Sequence, residues 1–451
     1  MKRRILMIAL LLALAAALGY AAYAGQRAPS LFAIEPTAER DFVHASLTYD
    51  AGSRTLRGRQ TMTLTNRTEA ALTEVVLRLY MNGERENSVV VAGVTADGKN
   101  VTARKDEDDP TVLRIALDWL PGQTVELAFM VMITHEKAED AAVVSLPALA
   151  MLEDCAWRTD AYDPLAGSSY AQAFDYVIEL TAREDVAVAF GGALVSREKR
   201  EDGMAYTAQL RGARDAGFAV KTGGKLHSAQ KGGVLIAALG ATGDQARRAC
   251  KSAEQALEDL EKLGFSYPFA SLSVAVSEKL GGDALSGLVV VDPQWQGEAL
   301  RRQLVRQIAR QMFGVLVEND PWNAPWLSYT LASALEMISY RQRRGVAAYE
   351  ERLYGEMEIA SRVTRPHGVS VGAGTAFFSS RSEMEQVLCD QGAAMLLGIE
   401  AAVGEEAFLQ ALRAYVERYA GRTGTLDALC TALLEKTGGD WRGYLEDELA
   451  F

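Results

Sequence analysis

Leu304-Val305-Arg306-Gln307-Ile308-Ala309-Arg310-Gln311-Met312-Phe313 is the stretch on which the reading of this chain turns. Leu304, Val305, Ile308, Ala309, Met312 and Phe313 recur at the spacing of one helical stripe, so the segment reads as a core helix. Arg306 and Arg310 stand at i and i+4 and therefore share its other face. The bland reading of that pair is a solvated face, or pairing with nearby acids such as Glu318 or Glu336. The sharper reading is that both line a cleft and bind an anionic group such as a peptide carboxylate.

Around this helix the second half alternates short strands with long helical periods. Gly233 to Leu239 reads as a buried strand. A helix follows from Asp244, with Ala249, Ala253, Ala256, Leu257 and Leu260 on one face and a stop at Gly264. Leu272 to Val276 and Gly287 to Val291 are further strands. Helices are expected at Glu298–Val317, Leu327–Arg344, Ala347–Arg362, Glu383–Val403, Glu406–Tyr419 and Thr425–Thr437. The first half has period two instead. Val75, Leu77, Leu79 and Met81 alternate, as do Val125, Leu127, Phe129, Val131 and Ile133, and again Phe174, Tyr176, Ile178 and Leu180. Such alternation means strands with one buried face. The expected fold class is α+β. An all-β domain over 35–225 precedes a domain of many helices with a small mixed sheet over 226–451.

Composition narrows the function classes. Of 451 residues, 49% are apolar and 24% charged, which is ordinary globular material. The formal net charge of −12 argues against a nucleic-acid partner, since phosphate neutralisation needs clustered Lys and Arg. Lys2, Arg3 and Arg4 precede an apolar run from Ile5 to Ala24 that ends in Ala22-Tyr23-Ala24. Residues 1–27 therefore read as a signal peptide or, uncleaved, as a membrane anchor, since cleavage motif and spanning length both fit. Either way the rest of the chain is expected outside the cytoplasm. The four cysteines, Cys155, Cys250, Cys389 and Cys430, form no CxxC pair and read as small buried hydrophobes.

A series of short motifs points to one family. Leu263-Gly264-Phe265-Ser266-Tyr267-Pro268-Phe269 is similar to an "fGxYPy" turn, and Gly281-Gly282-Asp283-Ala284-Leu285-Ser286-Gly287-Leu288-Val289-Val290 to "GGMEYPGLVV". Arg306 to Phe313 stands where HEIAHQWF would stand. Asn319-Asp320 and Pro325-Trp326-Leu327 resemble "nD…pWL". Gly392-Ala393-Ala394-Met395-Leu396 resembles "YxKGAxML", and Gly404-Glu405-Glu406-Ala407-Phe408 resembles "lGdexF". Glu74 to Asn82 and Ala213-Arg214-Asp215 agree more loosely with "lyfhLYPN" and "RDF". In this order and spacing the chain resembles the aminopeptidase N family of zinc metallopeptidases, from about residue 40 to its end. The resemblance implies a thermolysin-like second domain.

It also implies which chemistry each position would carry. The family holds zinc with two His a helical turn apart and a Glu on the next helix, leaving one position open for water. A Glu beside the first His is the general base. Here the His positions are Arg306 and Arg310, and the base position is Gln307. Matching "WLDEGFASYxE" to Trp326 through Glu336 puts Tyr329 at the ligand Glu. The Glu that binds a substrate's amino terminus corresponds to Ala284, beside Gly281, Gly282 and Asp283. The Tyr that stabilises the oxyanion corresponds to Cys389. A guanidinium stays protonated, and a unit charge about 4 Å away costs on the order of 4 kcal/mol at surface-like dielectric. No metal and no cofactor are therefore expected, and Gln307 and Cys389 are expected to be non-functional as catalytic groups.

The leading expectation is an exported, non-catalytic peptidase homologue that binds a peptide or protein partner in the interdomain cleft. Candidate cleft residues are Arg306, Arg310, Tyr329, Gly281, Gly282, Asp283 and Ala284. The alternatives are a zinc aminopeptidase that removes N-terminal residues, and a structural component of a membrane complex. Gly368-Val369-Ser370-Val371-Gly372 matches GxSxG but lacks the strand-then-helix context of a nucleophile elbow. Of the four histidines (His44, His135, His227, His367), no two share i, i+4 spacing, and His135-Glu136 reads as a solvated strand end. Asn66-Arg67-Thr68 and Asn100-Val101-Thr102 match the glycosylation sequon.

Overall fold

Alternation builds the first half. In the computed structural model, which describes residues 40–136, 141–166, 170–278, 284–364 and 368–450, the strand Phe42–Asp50 buries Val43, Ala45, Leu47 and Tyr49. It lies between Thr55–Thr65, antiparallel, and Phe174–Ala182, parallel. These are the centre of an eight-stranded sheet in the order Ala193–Arg200, Gly203–Ala213, Phe174–Ala182, Phe42–Asp50, Thr55–Thr65, Thr124–Thr134, Val89–Ala96 and Lys99–Asn100. Smaller sheets of four, three and two strands complete the β half. Along Thr124–Thr134, Val125, Leu127, Phe129, Val131 and Ile133 face the core, while Met130 and Met132 face out. Residues 1–27, expected to be a signal peptide or membrane anchor, lie outside the described residues.

The second half wraps helices around a five-stranded sheet ordered Lys225–Lys231, Val234–Gly240, Ser271–Val276, Leu288–Val291 and Ala284–Leu285. The three middle strands are parallel, and Ala284–Leu285 is an antiparallel edge. Helix α1 (Gly243–Lys262) starts at a Thr242–Gln245 capping box, which satisfies two free amides, and stops at Gly264, whose φ of +80° suits a residue without Cβ. Then come α2 (Gly297–Arg310), α3 (Trp326–Arg344), α4 (Val346–Thr364), α5 (Arg381–Glu385), α6 (Gly392–Val403), α7 (Glu405–Tyr419), α8 (Leu426–Thr437) and α9 (Arg442–Ala450). Phe269 and Val315 of this half pack into the β core, so the halves share apolar surface. The architecture is the expected α+β arrangement of a β-rich part followed by a helical one.

Three local expectations are corrected. The period-two run at Val75 does not reach Met81: the strand ends at Arg78, and Met81–Glu84 is a helical turn. The cause is Asn82, whose buried side chain accepts from the Val89 amide (2.6 Å) and donates to the Val89 carbonyl (3.1 Å), imitating a strand partner. The helix expected over Glu298–Val317 becomes π-helical at Gln311–Leu316, and the one over Glu383–Val403 does so at Gln386–Gln391. Such insertions arise where side chains take over backbone partners: the Thr330 hydroxyl donates to the Leu388 carbonyl at 2.8 Å. Of the cysteines, Cys250, Cys389 and Cys430 are buried as expected, but Cys155 is exposed in a turn with φ +64°.

Candidate functional site

Helix α2 is amphipathic in an unusual sense. Leu300, Leu304, Val305, Ile308 and Ala309 are buried in the helical core, which fixes the helix in place. Arg302, Arg306 and Arg310, at i, i+4 and i+8, form a row of three like charges. An isolated helix would be weakened by such a row. It forms because partners converge on it from α3, α4 and the π-helical segment.

The first partner is Glu336 of α3, which is wholly buried. Arg352 of α4 donates to both of its oxygens, at 2.8 and 2.5 Å, Arg302 donates at 3.2 Å, and Arg306 lies 3.7 Å away. Arg302 and Arg352 also share Glu356, each at 2.7 Å. Burial alone would push the Glu336 carboxyl up, but Arg352, Arg302 and Arg306 outweigh it and hold it down at about 2. Of the two acids expected for the arginines, Glu336 is thus a partner of Arg306. Glu318 instead pairs with Arg214, because it faces the β half.

Further along α2, the Arg310 guanidinium carbon lies 3.9 Å from the centroid of the Tyr329 ring, and Arg310 donates to the Gln307 side-chain oxygen at 3.3 Å. Gln307 and Tyr329 are both buried. Cys389, 3% exposed, sits beside Arg306; burial pushes its thiol up to about 11 despite that charge. The neighbouring Asp390 is raised to about 7, mainly by burial and then by Glu356, against the pull of Arg306, Arg352 and Arg302. Arg306, Gln307, Arg310, Tyr329 and Cys389 therefore form one neighbourhood. Gly281, Gly282 and Asp283 lie outside the described residues. Ala284 opens the edge strand, paired with Val289.

Behind α2 a second polar node joins the halves. Arg214 pairs with Glu318 at 2.5 Å and donates to the carbonyls of Val315 (2.8 Å) and Ala171 (3.0 Å). Asp215 accepts from the Ser286 amide at 2.7 Å. Gln311 donates to the Leu285 carbonyl (2.7 Å) and accepts from the Gly287 amide (2.9 Å), tying the edge strand to the end of α2. Asp320 accepts from the Trp322 and Asn323 amides and pairs with Arg158 at 2.9 Å. The degenerate motifs around residues 214, 286, 311 and 320 thus surround one stretch of chain.

Residues 286–446 match the Peptidase family M1 domain. The chain carries a peptidase family M1 domain. It is also 24% identical over 210 residues to aminopeptidase N of Streptomyces lividans, covering 41% of this chain and 23% of that relative's length. The chain therefore spans about a quarter of the aminopeptidase it matches. Solved structures of M1 zinc metallopeptidase from Deinococcus radiodurans superpose over 91% of this chain and 93% of theirs. The TM-scores are 0.67 for a Glu-to-Ala mutant at 18% identity and 0.66 for the unmutated protein at 17% identity. The same mutant bound to a Tyr-Ser-Ala substrate superposes with a TM-score of 0.64. At these identities the likeness establishes the fold alone.

Zinc is the metal of those M1 neighbours, and the residues at the matching positions here do not fit it. Zinc takes thiolate, imidazole or carboxylate donors, whereas Arg306 and Arg310 are cations already engaged with Glu336 and the Tyr329 ring. Among the described residues no three His, Cys, Asp or Glu side chains form a group that could hold a metal ion. Gln307 adds no basic group, because an amide has no free lone pair of useful basicity.

Arg302 and Arg352 were absent from the sequence reading. Arg302 had a signal, since it extends the Arg306–Arg310 spacing by one turn, but Arg352 reaches Glu336 only through the fold. Other sequence candidates are placed elsewhere. His135 hydrogen-bonds Tyr49 at 2.9 Å and stacks on its ring, so it is a tethered strand end and not a freely solvated one. Asn66 is buried and donates to the carbonyls of Ala70 and Trp119, which leaves no amide for a glycan. Ser370 lies in a turn region beyond α4, with no strand before it among the described residues. His367 is outside them.

Proposed function

We propose that this chain is an extracytoplasmic, catalytically inactive homologue of aminopeptidase N, acting by binding a peptide or protein in the cleft between its β half and its M1 domain. The single observation that carries the reading is the Arg310–Tyr329 contact beside Gln307. Two of the three metal-ligand positions touch each other, and the base position is an amide. Hydrolysis by the family route needs a metal-activated water and a group to deprotonate it. The Deinococcus neighbour solved with a Tyr-Ser-Ala peptide supports a peptide as the class of ligand. The apolar run from Ile5 to Ala24 behind three basic residues supports export, with or without retention in the membrane.

Purified protein would be assayed for bound zinc and for release of N-terminal residues from short peptides, alongside peptide binding by calorimetry. Binding without turnover and without zinc is the expected result. Stoichiometric zinc with metal-dependent release of amino acids would establish the aminopeptidase reading instead. Absence of both binding and turnover, with co-purification in a membrane assembly, would favour a structural component.

A further inference from the structure

In the metallopeptidase arrangement an ion bridges two side chains of one helix and one of the next. Here side chains at the same three positions make direct contacts that cross from α2 to α3. Arg310, at the second His position, lies over the ring of Tyr329, at the third ligand position, with 3.9 Å between guanidinium carbon and ring centroid. Arg306, at the first His position, reaches Glu336, seven residues further along α3. Arg302, one turn earlier on α2, donates to the same carboxylate. The geometry favours this use of the residues. A guanidinium is planar, keeps its charge when buried, and stacks on aromatic faces.

We infer that this row is an organic clasp standing in for the metal: Arg302, Arg306 and Arg310 of α2, closed on Tyr329 and Glu336 of α3, supply the tie between the two helices that a bridging ion would supply. The clasp occupies the ligand positions, so it also excludes zinc. Glu356 of α4 adds a second carboxylate to the network, shared by Arg302 and Arg352, and Arg352 completes the hydrogen bonding of Glu336. The helix pair is thereby held by side chains alone, and the stability of the chain is independent of metal supply. This inference goes beyond the proposed function: it holds whether or not the cleft takes a peptide.

Thermal unfolding of the whole purified chain tests it. The midpoint is expected to be the same in chelator, in buffer and in added zinc, with no zinc retained. A wild-type midpoint that falls on chelation would overturn the inference, whatever the peptide assays show. A double-mutant cycle on Arg310→Met and Tyr329→Leu supplies the second reading. The double variant should lose less than the sum of the single losses, by on the order of 2 °C, because the second substitution removes a contact already broken. Additive losses would mean that the pair is merely adjacent, and would sink the clasp. A third variant rebuilds the donors with Arg306→His, Arg310→His and Tyr329→Glu together. Its midpoint should rise with zinc and fall with chelator, showing that ion and clasp are interchangeable; a folded rebuilt chain indifferent to zinc would count against that equivalence. Should it fail to fold, the wild-type and cycle measurements still decide.

Discussion

The two faces of α2 differ in how they are held and in what they say about the chain's history of use. One face buries Leu304, Val305, Ile308 and Ala309 among apolar neighbours at the spacing of a core helix. The other carries Arg302, Arg306 and Arg310, and is stabilised by ion pairs and a ring contact specific to its partners. Apolar packing tolerates change in identity as long as volume is kept. A buried charge tolerates none unless its counter-charge changes too. The first face therefore reports the fold, and the second reports the local chemistry.

The charged face should break hardest. Glu336→Gln leaves three guanidinium groups without their shared carboxylate, and should cost about 3–5 kcal/mol in denaturant unfolding. It should also remove a pH dependence. The folded carboxyl sits at about 2, below its ordinary value of 4.5, so its contribution is present above about pH 4.5 and is lost as pH falls towards 2. That acid limb should be missing from the Gln variant, and a variant that kept it would place the titration elsewhere.

Leu304→Ala breaks the other face. With its side chain fully buried, the substitution should cost about 3 kcal/mol through lost transfer energy and a residual cavity. The loss should be the same in acid at about pH 3 and at neutrality, about pH 7, since no titrating group is removed. Equal pH profiles for the Leu304 and Glu336 variants would erase the contrast between the faces.

Asp390→Asn gives the smallest effect and sharpens the comparison. Its carboxyl is raised to about 7, so folding favours the neutral form, and that contribution is complete below its ordinary range near 3.8 and is lost as pH rises through 7. The Asn variant should match the wild type below about pH 3.8 and be more stable above neutrality by on the order of 1–2 kcal/mol. A variant less stable than wild type at alkaline pH would show that the charged carboxylate helps hold the arginine row.

Much of the fold was legible because it is periodic. Helices α1, α3, α4, α7 and α8 follow from apolar spacing within a residue or two of the observed ends, whereas α2 starts where expected and gives way to a π-helical turn at Gln311. The π-helical turns were not legible, since they depend on Gln311 and Thr330 reaching partners far along the chain. Nor was α9, whose only buried residue is Leu445. At the site, the identities of Arg306, Gln307, Arg310, Tyr329 and Cys389 and their common neighbourhood followed from motif order. The contact between Arg310 and Tyr329, and the convergence of Arg352 on Glu336, are tertiary facts with no local sequence signal.

Gln311 has a consequence for self-association. The strand Ala284–Leu285 is the open margin of its sheet, where unsatisfied backbone groups would invite a neighbouring molecule to add a strand. The Gln311 amide engages the Leu285 carbonyl and the Gly287 amide from within the same chain, so a helix residue terminates the ladder. Backbone groups at this margin are thereby satisfied from within the chain, which blunts it against an added strand.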